Sequence, residues 1–204
     1  MKKSEDTKQR ILFAAEGEFA QKGFYGARVD EIARCGEVNK RMLYAYFGNK
    51  EELYKTVLLN VYDSLSSAEA QLIENDKNTD AATAIRNVIG LYFDFLKNND
   101  NFVRMLMWEN LNNAQCLKNA KTENIKKNMI DYIERKICEG KISGVFGANA
   151  SAQRVTTALL TFVFSYFSNK HTLSLILDKN LSSEKELNLH KEFVCDLIIN
   201  YLKN

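Results

Sequence analysis

The stretch "VNKRMLYAYFGNKEEL", residues 38–53, combines two lysines, an arginine and two tyrosines with large apolar side chains. Asn39 is a favourable N-cap for a short helix over 39–46. Asn49 is a second N-cap, and Glu52 follows three residues later as in a capping box. Most charge clusters on short helices are simply solvated surface. Whether this cluster instead forms a binding surface has to be judged from the flanking sequence.

A second short helix is predicted directly before it, over 29–35, with Gly36 and Glu37 in the tight turn between the two. Two short helices joined in this way form a helix-turn-helix unit. Ala33 is the small residue that such a crossing needs, and Ile32, Val38 and Leu43 can hold the second helix against the first. The residues left to face outward, where a DNA groove would be read, are Asn39, Lys40, Arg41 and Tyr44.

The rest of the chain is also predicted to be helical. It has 204 residues, 46% of them hydrophobic, no proline and only 9 glycines, which favours helices with short connections. Apolar residues recur at helical spacing, and no alternation typical of strands and no internal repeat is present. About nine helices are predicted: one ending at Gly23, then 29–35, 39–46, 49–74, 80–98, 102–113, 121–139, 151–170 and 184–202, the last opening with Ser183 and Glu186.

Charge and composition limit the partners and the compartment. Residues 1–50 hold 10 Lys and Arg against 7 Asp and Glu, whereas residues 51–204 hold 18 against 19. This weakly indicates an anionic partner at the N-terminal end. The start lacks the apolar core of a signal peptide, and the longest apolar run (158–167) is too short to span a bilayer, so we expect a cytoplasmic protein. The four cysteines, Cys35, Cys116, Cys138 and Cys195, are scattered, and we expect reduced packing thiols.

Residues 7–54 resemble the DNA-binding domain of the TetR family of bacterial transcriptional regulators. The resemblance implies an all-α fold, with a three-helix helix-turn-helix domain at 1–48 and a helical effector-binding and dimerisation domain at 49–204. The matching residues are Arg10, Ile11, Ala14, Ala15, Phe19, Gly23 and Phe24 in the first helix and its end, Ile32 and Ala33 in the second, Val38, Leu43, Tyr44 and Phe47 in the third, and Lys50, Glu51 and Leu53 in the fourth.

Two positions depart from the family pattern. The family usually has glycine where Glu37 stands, and here the glycine is one residue earlier, at Gly36. Either Glu37 adopts a left-handed conformation, at a cost of roughly 1–2 kcal/mol, or the turn shifts by a residue. The family often has threonine where Arg28 stands. Arg28 cannot cap the second helix, although it can still reach a phosphate.

The resemblance implies that Tyr44 and Lys50 contact DNA phosphates, which position a protein without reading sequence. Asn39, Lys40 and Arg41 are the candidates for base edges. Tyr46 is left open between packing and phosphate contact, and Phe47 is expected in the core.

A single helix-turn-helix binds weakly, so a homodimer on a palindromic operator of double-stranded DNA is expected. The resemblance implies pairing through the last two helices, 151–170 and 184–202. The alternative is that their apolar residues are monomer core, and His171 and His190 are expected to be structural or surface residues. The apolar residues concerned are Leu159, Phe162, Val163, Tyr166, Phe167, Phe193, Leu197, Ile198 and Tyr201.

The segment 80–113 is rich in aromatic residues and methionine, which usually means core but is also typical of a pocket for a small organic effector. Asn110 is a further polar candidate there. The predicted effector-binding residues are Tyr62, Tyr92, Phe102, Met105, Trp108, Glu109, Phe162 and Tyr166.

We therefore expect a dimeric repressor that an effector releases from its operator by shifting the population of dimer conformations, with the fourth helix as the lever. The alternatives are an activator, or a regulator controlled by a protein partner or by cysteine oxidation. An enzyme is not expected, because no ExxH pair, HExxH motif or phosphate-binding glycine loop is present. No cofactor and no metal site are expected.

Overall fold

A computed structural model describes the backbone of residues 2–118 and 123–204, and within these ranges all regular structure is helical. The all-α prediction is confirmed. The α-helices are α1 Lys2–Gly26, α2 Val29–Cys35, α3 Lys40–Phe47, α4 Lys50–Asn75, α5 Ala81–Asn98, α6 Asp100–Leu111, α7 Gln115–Lys118, α8 Glu123–Ile142, α9 Ala152–Leu159, α10 Ser165–Leu177 and α11 Glu184–Lys203, with a π-helical stretch over Leu160–Phe164.

The chain packs as two compact units. The first contains residues 2–64 and 100–118, and the second contains residues 65–99 and 123–204. The division describes packing alone, and the functional boundary after residue 48 stays a prediction.

The core of the first unit is formed by apolar side chains that recur at helical spacing on α1, together with one apolar side chain from each of the next three helices. All of them are completely shielded from solvent, which explains why such short helices as α2 and α3 are held firmly. These residues are Ile11, Ala15 and Phe19 of α1, Ile32 of α2, Leu43 of α3 and Leu53 of α4.

Helix α1 is broken at Gly23 but continues to Gly26, three residues beyond the predicted end. Gly23 has φ 67° and ψ 178°, a conformation that glycine adopts without strain. A Cβ atom at this position would lie 2.7 Å from the ring of Trp108. Glycine is therefore required twice over, for the backbone angle and for the close approach of the indole.

In the second unit, α5 contacts both α8 and α11. Its fully buried stripe comprises Ala84, Ile85, Val88 and Ile89. Arg86 donates to Asp196 of α11 at 3.2 Å, and Lys97 pairs with Glu184 at the other end of the same helix.

The predicted helix over 151–170 differs most from the structure. It divides into α9, the π-helical stretch and α10, and it reaches Leu177, where Asp178 stops it in the left-handed conformation (φ 50°). A π-helical stretch hides an extra residue in the turn, so periodicity alone does not reveal it. The four-residue α7 was not predicted. The turn before it has positive φ angles at Asn113 (57°) and Ala114 (54°), and neither position is a glycine, the residue that usually indicates such angles in a sequence.

A buried ionic cluster links α8 to the segment that connects α4 with α5. Lys136 lies 2.8 Å from Asp76 and donates to the carbonyl of Thr79, while Tyr132 donates to Asp76 at 2.6 Å. Asp76 and Lys136 are both almost completely buried, so their charges depend on each other.

None of the helices in the described ranges is long and apolar enough to cross a membrane.

Candidate nucleic-acid interface and effector-binding residues

Helix α3 is amphipathic in the way that a groove-reading helix needs. Leu43 and Phe47 are buried beneath it, whereas Arg41 and Tyr44 are exposed. The Oδ1 atom of Asn39 accepts the backbone N–H of Met42 at 2.8 Å, so Asn39 is the N-cap, as predicted. The cap uses the amide oxygen of Asn39 and not its Nδ2 group.

The turn before α3 adopts the first of the two alternatives left open by the sequence. Glu37 is left-handed, with φ 53°, and the turn does not shift. The N–H of Val38 reaches back to the carbonyl of Ala33 at 2.9 Å, and the Glu37 carboxylate pairs with Arg10 of α1 at 3.0 Å. The pair ties the strained turn to the first helix.

Lys40, at the first position of α3, is engaged by an acidic neighbour. Its ammonium lies 3.0 Å from the carboxylate of Asp30 on α2. The hydrogen bond to Asp30 raises the pKa of Lys40. Contact between Lys40 and a base would therefore compete with Asp30.

Arg28 and Lys50 flank the helix-turn-helix at its two ends. Arg28 occupies the N-cap position of α2 in an extended conformation, and its side chain makes no cap, as expected. Its backbone N–H donates instead to Glu18 at 2.9 Å. The Lys50 ammonium lies 4.9 Å from the centre of the Phe24 ring, and burial lowers the pKa of Lys50.

Tyr46, left open between packing and phosphate contact, reaches Ser4 of α1. The two hydroxyl oxygens are 3.0 Å apart. In this structure the Tyr46 hydroxyl thus connects α3 to the start of α1.

The predicted effector residues of the first unit lie on or beside α6. Tyr62 meets Phe102 edge to face at 5.4 Å, Met105 is fully buried, and the indole N–H of Trp108 donates to the carbonyl of Ala20 at 3.2 Å. Burial, with a smaller effect of Glu109, raises the pKa of Tyr62 to about 12. Glu109 is only 2% exposed.

The predicted effector residues of the second unit are Tyr92, Phe162 and Tyr166. Tyr92 donates to the buried carboxylate of Glu69. Tyr166 donates to the carbonyl of Leu181 at 2.7 Å and stacks on His190 at 4.3 Å. Phe162 is exposed at its side chain, while its carbonyl oxygen lies 3.3 Å from Nε2 of His190. The effector role of all eight residues stays a prediction.

Sequence reasoning missed the tyrosine partners of two buried carboxylates. Tyr54 donates to Glu109 at 2.9 Å, and Tyr92 donates to Glu69. Burial is the main cause that raises the pKa of both tyrosines and that of Glu69. Helical periodicity places Glu69 on a helix but gives no signal that its carboxylate is buried.

The nine apolar residues predicted for dimerisation differ in how far the monomer buries them. Five of them are buried in the core of the second unit, and Tyr201 is partly exposed. Phe162, Phe193 and Leu197 are exposed, and so are Leu160 and Leu189 nearby in sequence. The residues that the monomer buries are Leu159, Val163, Tyr166, Phe167 and Ile198.

The cysteines are free thiols: Cys35 and Cys138 are exposed, Cys116 is half-buried and Cys195 is buried. Of the two histidines, His190 is partly buried and stacks on Tyr166, and burial lowers its pKa, whereas His171 is exposed. Across the residues that the structure describes, no three His, Cys, Asp or Glu side chains cluster as metal ligands would.

Comparison with known proteins matches both halves of the chain to one family. Residues 11–57 match the model described as bacterial regulatory proteins, tetR family, and residues 82–198 match the tetracyclin repressor-like C-terminal domain.

Individual relatives agree with these matches. The HTH-type transcriptional repressor NicS of Pseudomonas putida is 30% identical over 200 residues, which cover 97% of this chain and 92% of NicS. The HTH-type transcriptional activator FasR of Mycolicibacterium smegmatis is 33% identical over 102 residues, which cover 50% of this chain and 46% of FasR.

Solved structures share the fold. The transcriptional regulator FadR of Bacillus subtilis, in complex with stearoyl-CoA, aligns with a TM-score of 0.66 at 20% identity and covers 95% of this chain and 98% of its own. Together with a full-length relative at 30% identity, this confirms what residues 7–54 predicted. The chain belongs to the TetR family of bacterial transcriptional regulators and is a DNA-binding regulator of transcription.

Proposed function

We propose that this chain is a homodimeric repressor that reads a palindromic operator with one α3 helix per half-site and leaves it when a small organic effector binds. The observation that carries the proposal is α3 itself. Its Leu43 and Phe47 side chains are buried, and Arg41 and Tyr44 on the same helix are left exposed to solvent.

The roles along the interface follow from side-chain chemistry. Arg41 and Lys40 suit guanine, and Asn39 can donate its Nδ2 group to a base edge. Tyr44, Arg28 and Lys50 suit phosphates, which fix the register of the helix on the duplex.

Repression is favoured by NicS, the relative that aligns over nearly the whole chain. Activation is the second candidate, because FasR is an activator, although FasR aligns over only about half of either chain. Control by cysteine oxidation is disfavoured at Cys116, because burial and Glu109 raise the pKa of its thiol to about 11 and only the thiolate reacts readily.

Dimerisation is supported by apolar side chains that the second unit leaves exposed on α11 and on the π-helical stretch. Phe193 is 54% exposed, and Leu197 and Phe162 are each 37% exposed. Exposed apolar patches of this kind are typical of interaction surfaces.

Release by the effector is a population shift between dimer conformations with different spacing of their α3 helices. Only the spacing of successive major grooves, about 34 Å, permits both helices to bind. Helix α4 is the candidate lever, because it contains both Lys50, near the DNA, and Tyr62, which contacts Phe102 of α6.

The experiment is selection of binding sites for the full chain from a random duplex library, followed by affinity measurements on variants. Tyr44→Ala should weaken binding to the selected and to random duplexes alike. Arg41→Ala should relax the preference at one position of each half-site. Arg135→Ala, which removes an exposed arginine of α8, is the control and should change neither.

Equal losses on selected and random DNA for Arg41→Ala would contradict its base-reading role. Failure of the wild-type chain to enrich any sequence, even at low salt, would contradict the proposed function as a whole.

A further inference from the structure

The first unit contains a cavity of about 230 Å³. None of the residues proposed to contact DNA lines it. Its walls come from the end of α1 (Phe24 and Tyr25), the first turns of α4 (Glu51 and Tyr54) and the stretch from α6 to α7 (Glu109 among others). Pockets for drug-sized ligands measure about 300–1,000 Å³, so an occupant of this cavity must be smaller than that.

The lining combines aromatic rings with carboxylates. Phe24 meets Tyr25 edge to face at 5.2 Å and Tyr54 at 5.3 Å. Glu109 is buried and Glu51 is exposed. Aromatic faces and carboxylates share one preference, which is for a cation.

Glu109 is a buried carboxyl group that accepts two hydrogen bonds. Its Oε1 accepts from Tyr54 at 2.9 Å and its Oε2 accepts from the backbone N–H of Leu117 at 3.2 Å. Each carboxylate oxygen can accept a second hydrogen bond. Within the described part of the chain Glu109 makes no ion pair, although buried carboxylates usually have a cationic partner. Lysine and arginine are the usual partners, and here a ligand can take that place.

One ring of the aromatic wall already faces a cation of the protein. The Lys50 ammonium of α4 lies 4.9 Å from the centre of the Phe24 ring. A second cation on the cavity side would repel Lys50 and displace it from the position in which it is the proposed phosphate contact. Binding in the cavity and binding to DNA would thus be coupled.

From these observations we infer that the cavity binds a small organic cation, a compact aryl or alkyl ammonium, whose charge pairs with Glu109 and whose apolar body packs on Phe24 and Tyr25. The ligand lowers the affinity of the protein for DNA. The inference that the cation binds depends only on the cavity. The inference that the cation weakens DNA binding also rests on the proposed function.

The first test is calorimetry of the full chain with 2-phenylethylammonium, with the neutral 2-phenylethanol and the anionic 3-phenylpropionate as matched probes. The ammonium should bind at least about tenfold more tightly than the alcohol, and the anion should not bind. Equal affinity for ammonium and alcohol would overturn the inference, because it would show that Glu109 is satisfied by its two hydrogen bonds.

Variants locate the site. Glu109→Gln keeps the size and an acceptor for Tyr54 but removes the charge, and it should lose the ammonium preference. Tyr25→Ala removes a ring that is 75% exposed, so it keeps the fold and should still weaken ammonium binding several-fold. Glu69→Gln is the matched control, because Glu69 is likewise a buried carboxylate bonded to a tyrosine, in the other unit. Loss of binding in Glu69→Gln but not in Glu109→Gln would place the cation elsewhere and overturn the inference.

The second test is the affinity of the protein for its selected duplex, with and without saturating 2-phenylethylammonium. The Kd for DNA should rise at least about fivefold in the wild type and stay unchanged in Glu109→Gln. A wild type that binds the ammonium with no change in DNA affinity would overturn the effector role. A wild type that binds the ammonium but no duplex would contradict the proposed function and leave the cation site standing.

Discussion

At the scale of single residues, the helix-turn-helix contains one strained backbone position and one engaged cation. Glu37 is left-handed (φ 53°), a conformation that is costly for a residue with a Cβ. The neighbouring Gly36 has φ −80°, so the glycine of this turn does not occupy the position that needs it.

Replacing Glu37 with glycine should stabilise the protein. Relief of roughly 1–2 kcal/mol of strain outweighs the extra chain entropy of glycine, about 0.5–1 kcal/mol, and the loss of an exposed pair with Arg10. We expect a net gain of at most about 1 kcal/mol in the free energy of unfolding, measured by urea denaturation. Glu37→Val, which is worse in this conformation, should be less stable than the wild type. A destabilised Glu37→Gly would show that the pair with Arg10 dominates.

Removing the charge of Asp30 should strengthen DNA binding. Asp30→Asn releases Lys40 from its 3.0 Å ion pair and takes a negative charge away from the proposed DNA face. Because the pair is exposed to solvent, the gain in affinity should be at most about fivefold at low salt, and it should shrink as salt is added.

Glu31→Gln is the control for this change. It neutralises the next residue on α2, which pairs with Arg34 instead of a residue of α3. Fluorescence anisotropy with a selected duplex should show a smaller effect for Glu31→Gln, and equal effects of the two variants would mean that the general charge of α2 is responsible.

At the scale of elements, helices with strong local signals were predictable and irregular ones were not. The N-caps at Asn39 and Asn49 each accept a backbone N–H at 2.8 Å, because a side-chain amide can replace the missing helical partner wherever it stands. The π-helical stretch at Leu160–Phe164 has no such marker, since it depends on packing within the second unit.

The candidate site was predictable to a similar degree. Which residues point outward on α3 follows from its period, whereas the pairing of Lys40 with Asp30 requires the angle at which α2 and α3 cross. Glu109 was expected in a site because it follows an aromatic and methionine-rich run. Its partner Tyr54, 55 positions away in the chain, could not be deduced without the tertiary fold.

The buried cluster at the α4–α5 connection should make stability depend on pH. Burial alone would raise the pKa of Asp76, but hydrogen bonds from Lys136, Thr79 and Tyr132 outweigh it and lower the pKa well below the usual range. A carboxylate with a lowered folded pKa stabilises the fold above its unfolded pKa of about 3.9 and loses that stabilisation as the pH falls further.

Asp76→Asn should therefore cost up to about 3 kcal/mol at pH 7, because it leaves the buried Lys136 ammonium with Glu139, at 3.1 Å, as its remaining carboxylate. The difference from the wild type should shrink as the pH falls below about 4. Urea denaturation across this range measures both effects. Asp131→Asn, an exposed aspartate on α8, the helix that contains Lys136, is the control. A difference that persists at low pH would show that Asp76 acts through shape instead of charge.

At the scale of the whole molecule, the proposal requires that two copies of the chain pair. Phe193→Asp places a charge on an exposed position of α11, where it should convert the dimer to a monomer without disturbing the core. Ile142→Asp, at a comparably exposed apolar residue at the end of α8, should remain dimeric. Sedimentation velocity separates the two outcomes, and a dimeric Phe193→Asp variant would move the interface away from this face.

The central claim is that α3 is presented to DNA twice by a paired molecule. Its most direct test is the mass of the complex that the full chain forms with a selected duplex, measured by mass photometry alongside a duplex that carries only one half-site. We predict two chains per complete operator and at least a hundredfold weaker binding to the half-site, because the loss of one α3 contact removes several kcal/mol. A single chain that binds the half-site as tightly as the complete operator would contradict the account.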